Sequence, residues 1–205
     1  MMRKLVFSLI YLFSNLVMAI EEPTFTISDQ EASFEIRQYE PMIIAEVIVA
    51  GTRDEASNKG FRMIADFIFG NNEASSKESQ KIAMTAPVTI EPEKIAMTAP
   101  VTTDQASDKG WRVQFVMPKQ YTMETLPKPK NPLVHIKEVT GKRYAVMKFS
   151  GFNNQEKIEN NTQQLREWIE VKRLHAIGQP QLARYNPPWT LPPWRRNEIL
   201  IEIAP

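Results

Sequence analysis

The sequence predicts an α+β domain, a pseudo-two-fold antiparallel β-barrel-like sheet carrying two α-helices. Three observations predict it. Apolar strand patterns flank two stripes of helical period. A strand–Gly–helix junction occurs twice, 100 residues apart, at Gly51 and Gly151. The links between neighbouring strands are short, which suits antiparallel pairing.

Taken in order, strands are expected at 34–39 and 42–50, the second ending in Val47-Ile-Val-Ala-Gly51. Thr52-Arg-Asp-Glu55 is a capping box, a hydroxyl N-cap with an acid three residues on. Helix one is therefore expected at 53–69, with an apolar stripe of Ala56, Phe61, Ile64, Ala65 and Ile68 and a stop at Gly70. Strands follow at 82–89, 95–102 and 111–117, then a proline-rich connector at 126–132. The second half repeats the plan. Strands are expected at 134–139 and 143–150, ending in Met147-Lys-Phe-Ser-Gly151. Asn153-Asn-Gln-Glu156 reads as the same capping device one residue further along. Helix two is expected at 155–174, with a stripe of Ile158, Leu165, Trp168 and Ile169, stopping before Gly178. Strands at 181–185 and 198–203 close the chain around a proline-rich loop.

A perfect nonapeptide, KIAMTAPVT, stands at 81–89 and again at 94–102. Two copies are too few for a solenoid. Pro87 and Pro100 confine such strands to an edge or a bulge, so the pair reads as a hairpin or two successive edge strands.

Residues 1–19 have the three parts of a secretory signal: Arg3 and Lys4, an apolar run, and small residues at Val17 and Ala19. The expectation is a periplasmic or secreted protein, without stable membrane insertion after cleavage; the alternative reading of the same residues is an uncleaved N-terminal anchor. Residues 20–32 read as an N-terminal linker and 33–205 as one domain, its halves near 33–125 and 133–205.

The composition narrows the chemistry. Of 205 residues, 42% are hydrophobic and 24% charged, values of a globular chain. Lys+Arg 25 against Asp+Glu 24 gives a net charge of +1, which argues against a nucleic-acid binder. The chain has no cysteine, which excludes disulfides, thiol nucleophiles and covalent c-type haem. Two histidines leave little for a multi-histidine metal centre. Neither a phosphate-binding loop, a dinucleotide fingerprint, a nucleophile elbow nor an HExxH motif is present. No catalytic residue and no metal site is assigned.

The remaining candidates are binding groups. Glu198 and Glu202 flank Leu200 on one face of the last strand, opposite Ile199, Ile201 and Ile203. They read either as a solvated face or, at Glu198, as an acid at the mouth of a cleft that meets a cationic ligand. Arg195 and Arg196 read as partners of a propionate, partners of Glu198, or surface charge. Met63 on helix one, His135 and His175 could ligate haem iron by chemistry alone; the favoured reading is core filling for Met63, a solvated strand position for His135 and an exposed helix end for His175. The Trp and Pro cluster at 185–194 reads as a pocket lining or as a stiff loop over a sheet edge.

Seven stretches in one order resemble the SOUL haem-binding protein family. They are Phe34-Glu-Ile-Arg-Gln-Tyr-Glu-Pro41, Gly60-Phe61 with Asp66-Phe-Ile-Phe-Gly-Asn-Asn72, Lys81-Ile-Ala-Met-Thr-Ala-Pro-Val88, Phe115-Val-Met-Pro118, Phe149-Ser-Gly151, Arg184-Tyr-Asn-Pro-Pro188 and Arg195-Arg-Asn-Glu198. The resemblance runs from about residue 30 to the end. It implies a twisted antiparallel barrel-like sheet with two helices, similar to the gyrase-inhibitor-like effector-binding domains. It implies a haem or other tetrapyrrole as cofactor, held in an apolar pocket beside helix one at positions matching Asn58, Phe61 and Ala65. It places Gln38 where one animal branch carries a histidine proposed as haem ligand. The implied function is an exported haem- or tetrapyrrole-binding protein that sequesters or carries its small-molecule ligand. The alternatives are a cleft module for another hydrophobic or cationic molecule, with Gln38 and Glu198 as cleft residues, or an unrecognised hydrolase on the same fold.

Overall fold

The computed structural model describes residues 20–94, 109–187 and 189–205. The expected signal segment lies outside these residues, as does the second KIAMTAPVT copy apart from its first residue. Eleven strands and two α-helices are described in chain order. They are β1 Phe25–Glu31, β2 Phe34–Tyr39, β3 Met42–Ala50, α1 Arg53–Ile68, β4 Asn72–Glu73, β5 Val88–Lys94, β6 Lys109–Val116 and β7 Lys128–Pro129. Then come β8 His135–Val139, β9 Arg143–Ser150, α2 Gln155–Val171, β10 Gln181–Arg184 and β11 Arg196–Glu202, with a short 3-10 turn at Pro192–Trp194 before β11.

Nine strands form one antiparallel sheet in the order β1-β2-β9-β11-β10-β5-β6-β3-β8. β4 and β7 form a separate two-stranded ladder. The order reads symmetrically outward from the β10–β5 pair, whose central register is Ala183 opposite Thr89. On one side stand β10, β11, β9 and β2, and on the other β5, β6, β3 and β8. Each group takes its outer strand from the other half of the chain. β2 pairs with β9 and β8 with β3, so neither short link closes a hairpin.

Those two links impose the curvature. Glu40 and Pro41 join β2 to β3, while residues 140–142 join β8 to β9. Each connects strands near opposite ends of the sheet, so the sheet must curl until its ends approach. The links touch where they pass, with Tyr39 N donating to Lys142 O at 2.9 Å. A Cβ on Gly141 would sit 2.4 Å from Tyr39 O, so only glycine fits the crossing.

Both helices pack on the convex face. α1 lies on β3 and β6, α2 on β9 and β11. Strand alternation supplies the core: Val47, Val49, Val113 and Phe115 meet Ile64, Phe67 and Ile68, while Ala145, Met147, Ile199 and Ile201 meet Leu165, Trp168 and Ile169. The junction glycines have φ of +116° at Gly51 and +92° at Gly151, a left-handed turn that glycine adopts without strain.

Several expectations are corrected. The segment read as a linker contains β1, which extends the sheet beside β2. Residues 82–87 are not strand; the strand starts at Val88. Ile82 instead enters the core, and Thr85 and Ala86 tether the chain to Val116 O and Glu21 O. α1 carries the capping box at Thr52 and Glu55. α2 does not: its N-cap is Asn154, whose side chain accepts from Lys157 N, and a lysine occupies the acid's place. α2 also ends early, at Val171, because Arg173 turns left-handed at φ 57°. His175 therefore lies beyond the helix, exposed, as is His135 on β8.

Candidate functional site

The concave face carries a buried charge network. Arg37 on β2 and Glu198 on β11 form a two-pronged pair, Nη1 to Oε2 at 2.8 Å and Nη2 to Oε1 at 3.0 Å. The Tyr185 hydroxyl donates to Glu198 Oε2 at 2.6 Å, and Arg196 Nε to Oε1 at 3.1 Å. Arg37 Nε also donates to Glu35 at 2.7 Å, and its Nη1 to the Tyr39 hydroxyl at 3.0 Å. Lys148 completes Glu35, and Glu22 pairs with the outer edge of Arg196. Burial opposes the charge of Arg37, but the hydrogen bonds and charge of Glu198 outweigh it and raise its pKa above the ordinary arginine value. Burial, then the charge of Glu198, pushes the Tyr185 hydroxyl up, so it stays a donor.

A second network faces the first across the pseudo-two-fold. Glu46 on β3 accepts from Lys137 and, at 3.2 Å, from Gln114 Nε2; Arg112 Nε lies 3.6 Å away. Arg112 also bonds Glu91 at 2.8 Å. Burial would push Glu46 up, but these bonds and charges hold its carboxyl below the ordinary range. The registers explain the arrangement. Ile48 faces Arg112 as Lys148 faces Glu198, and Ile44 faces Lys137 as Tyr144 faces Arg37. With β3 and β9 aligned at an offset of 100, Arg37 corresponds to Lys137 and, through the strands paired with β9 and β3, Glu198 to Arg112. Both positions are cationic in one half, so Glu46 and Glu91 supply the acids there. Between the networks lies a cavity of about 250 Å3, lined by Tyr39, Met42, Glu46, Arg112, Tyr144 and Leu200 among others.

The structure separates the two cleft candidates. Gln38 neighbours Arg37 on β2, so its side chain points to the opposite face, where it is exposed. Glu198 is fully buried, and its oxygens are held by the protein.

The helix-one candidates also divide. At about 100° per residue, Asn58, Phe61 and Ala65 share one flank of α1. Met63 lies about 160° round from Phe61 and packs against the core. On the shared flank Asn58 is exposed, Phe61 is 36% exposed with its ring tilted 50° against Phe115 at 5.4 Å, and Ala65 is buried. Phe69, one turn beyond Ala65, is 57% exposed and belongs to the same surface. Sequence reading passed over it because it sits at the helix end. None of these residues lines the concave cavity.

Residues 20–202 match the family described as SOUL heme-binding protein. The chain belongs to the SOUL family. No curated protein matches it in sequence. Solved structures share the SOUL protein's fold at low identity. An uncharacterized conserved protein from Listeria innocua gives a TM-score of 0.61 at 11% identity, covering 84% of this chain and 92% of that one. A hydrolase from the same organism gives 0.58 at 11%, covering 86% and 94%. The EcmrR C-terminal domain gives 0.59 at 9%, covering 83% and 96%.

The family stretches have structural employment in this SOUL protein. Asn72 is fully buried and bonds Phe67 O at 2.8 Å and Gln80 O at 2.6 Å, tying the end of α1 to the following loop. Arg196 and Glu198 supply part of the concave network, and Asn197 between them donates to Gly151 O at 3.2 Å. The Trp and Pro loop is surface: Trp189 is 82% exposed, and Leu191 and Trp194 are exposed beside it. Among the described residues, no helix is long and apolar enough to cross a membrane.

Proposed function

We propose that this SOUL protein is an exported haem- or tetrapyrrole-binding protein that sequesters or carries its ligand on the flank of α1. The observation that carries the reading is the family match over residues 20–202. The flank is chemically suited to a flat apolar ring, with partly exposed Phe61 and more exposed Phe69 on either side of Ala65. Asn58, Phe61 and Ala65 offer no iron ligand, so binding by apolar contact is the expected mode. The concave cavity, at about 250 Å3, falls below the ~300–1,000 Å3 of drug-sized ligand sites and is crossed by ion pairs, which favours the flank. Export is supported by the targeting pattern of residues 1–19 and by a family match that begins at residue 20.

Titration with ferric haem and with iron-free protoporphyrin IX tests this. Both should bind saturably with similar micromolar affinity, and Phe69→Asp should weaken both at least tenfold. An unchanged Soret band at tens of micromolar would overturn the reading. The exported protein should begin at Ile20 on N-terminal sequencing. The alternative, a cleft module for another small molecule, draws its support from the cavity between Glu46 and Tyr144. It predicts ligand binding that Glu46→Gln weakens and Phe69→Asp leaves alone.

A further inference from the structure

The start of α1 holds two arginines whose charge the protein does not fully answer. Arg53 is the first residue of the helix, and its side chain is only 10% exposed. Its Nε is buried without a hydrogen-bond partner. The same holds for Nε of Arg184 on β10, whose Nη1 donates to Ser57 on α1 at 3.3 Å. Both guanidinium groups look to one carboxylate oxygen, Asp54 Oδ1, at 3.6 and 3.7 Å. Those distances exceed hydrogen-bond range, and Asp54 is 72% exposed. Burial lowers the pKa of Arg184, and the charges of Arg53 and Arg195 lower it further against the pull of Asp54. The N-terminus of α1 adds its own positive end.

Arg53 also lines a groove of about 270 Å3 between the two helices. Its apolar lining includes Ile90, Leu182 and Ile199 from the sheet, Trp111 and, from α2, Ile158. Arg184, its side chain 31% exposed, stands outside that lining; it follows Leu182 on the same face of β10 and shares Asp54 Oδ1 with Arg53 at the groove's end. The carboxylate lining the groove, Glu159, is engaged by Gln155 one turn earlier.

We propose that this groove binds a small amphipathic anion, its carboxylate or phosphate head held by Arg53 and Arg184 and its apolar body lying on Ile90, Leu182 and Ile199. Buried guanidinium donors without partners are costly, and an oxyanion satisfies them with charge-assisted bonds. The size of the groove fits a medium chain rather than a macrocycle. The site is distinct from the tetrapyrrole flank: Asn58, Phe61 and Ala65 lie about 80–140° round α1 from Arg53, and none of them lines the groove.

Calorimetric titration of the full chain with octanoate, octyl phosphate, inorganic phosphate and octanol tests the proposal. One or both amphipathic anions should bind saturably, octanol and inorganic phosphate at least tenfold more weakly. Preference between octanoate and octyl phosphate identifies the head group. Arg53→Gln and Arg184→Gln should each reduce binding at least tenfold, with circular dichroism confirming the fold. A brominated octanoate should quench wild-type fluorescence through Trp111, and Trp111→Phe should remove that quenching, a readout that does not depend on the arginine variants folding. Octanol binding as well as octanoate, inorganic phosphate binding as well as octyl phosphate, unchanged affinity in the folded variants, or no binding at all would each overturn it.

Discussion

Glu198 shows how much a single side chain's role depends on what surrounds it. Its strand alternates acids with leucine on one face and isoleucines on the other, a pattern that reads as half solvated. The curled sheet covers that face, so the acid became the centre of a network with Arg37, Arg196 and Tyr185. Removing one member of a buried ion pair strands the other charge. Glu198→Gln should therefore destabilise the fold by about 3 kcal/mol, a drop of roughly 6–12 °C in Tm by calorimetry. A loss below about 1 kcal/mol would mean that the network contributes little to stability. The residues of this network were in view in the sequence; their pairing was not, since Arg37 and Glu198 lie 161 positions apart.

The elements were the most legible level. Hydrophobic period and capping chemistry are local, so β2, β3, β9 and the start of α1 are found where the sequence puts them. The misreadings occur where local signals are ambiguous. Asn153 and Asn154 are both competent caps, and the structure selects the second. The early end of α2 has no glycine to announce it, because Arg173 makes the left-handed turn at φ 57°. That conformation costs a side-chain-bearing residue about 1–2 kcal/mol. Arg173→Gly should consequently stabilise the protein by up to about 1 kcal/mol after the added chain entropy of glycine, measured by urea unfolding. β1 was missed because its residues are mostly exposed at the sheet edge, leaving no apolar alternation to detect.

At the scale of the whole molecule, two short links decide the shape. They cross between distant strands, and Gly141 is the point where they touch. Gly141→Ala should cost about 2 kcal/mol or more, since the added methyl meets backbone that has no room to rotate away. Unfolding indistinguishable from wild type would show that the crossing relaxes freely. The same curvature creates both the polar concave face and, on the convex side, the gap between helices where Arg53 sits.

The α+β class, the doubled strand–Gly–helix plan, most element positions and the family are legible in the chain alone, because they rest on local periodicity, caps and ordered motifs. It also placed Asn58, Phe61 and Ala65 on one helix flank, since helical spacing is fixed. Folding in three dimensions is what makes β2 and β8 exchange partners between the halves, turns Gln38 and Glu198 to opposite faces, and brings Arg53 and Arg184 to one carboxylate. Those outcomes depend on long-range pairing and on which face the curled sheet buries, and no local pattern encodes either.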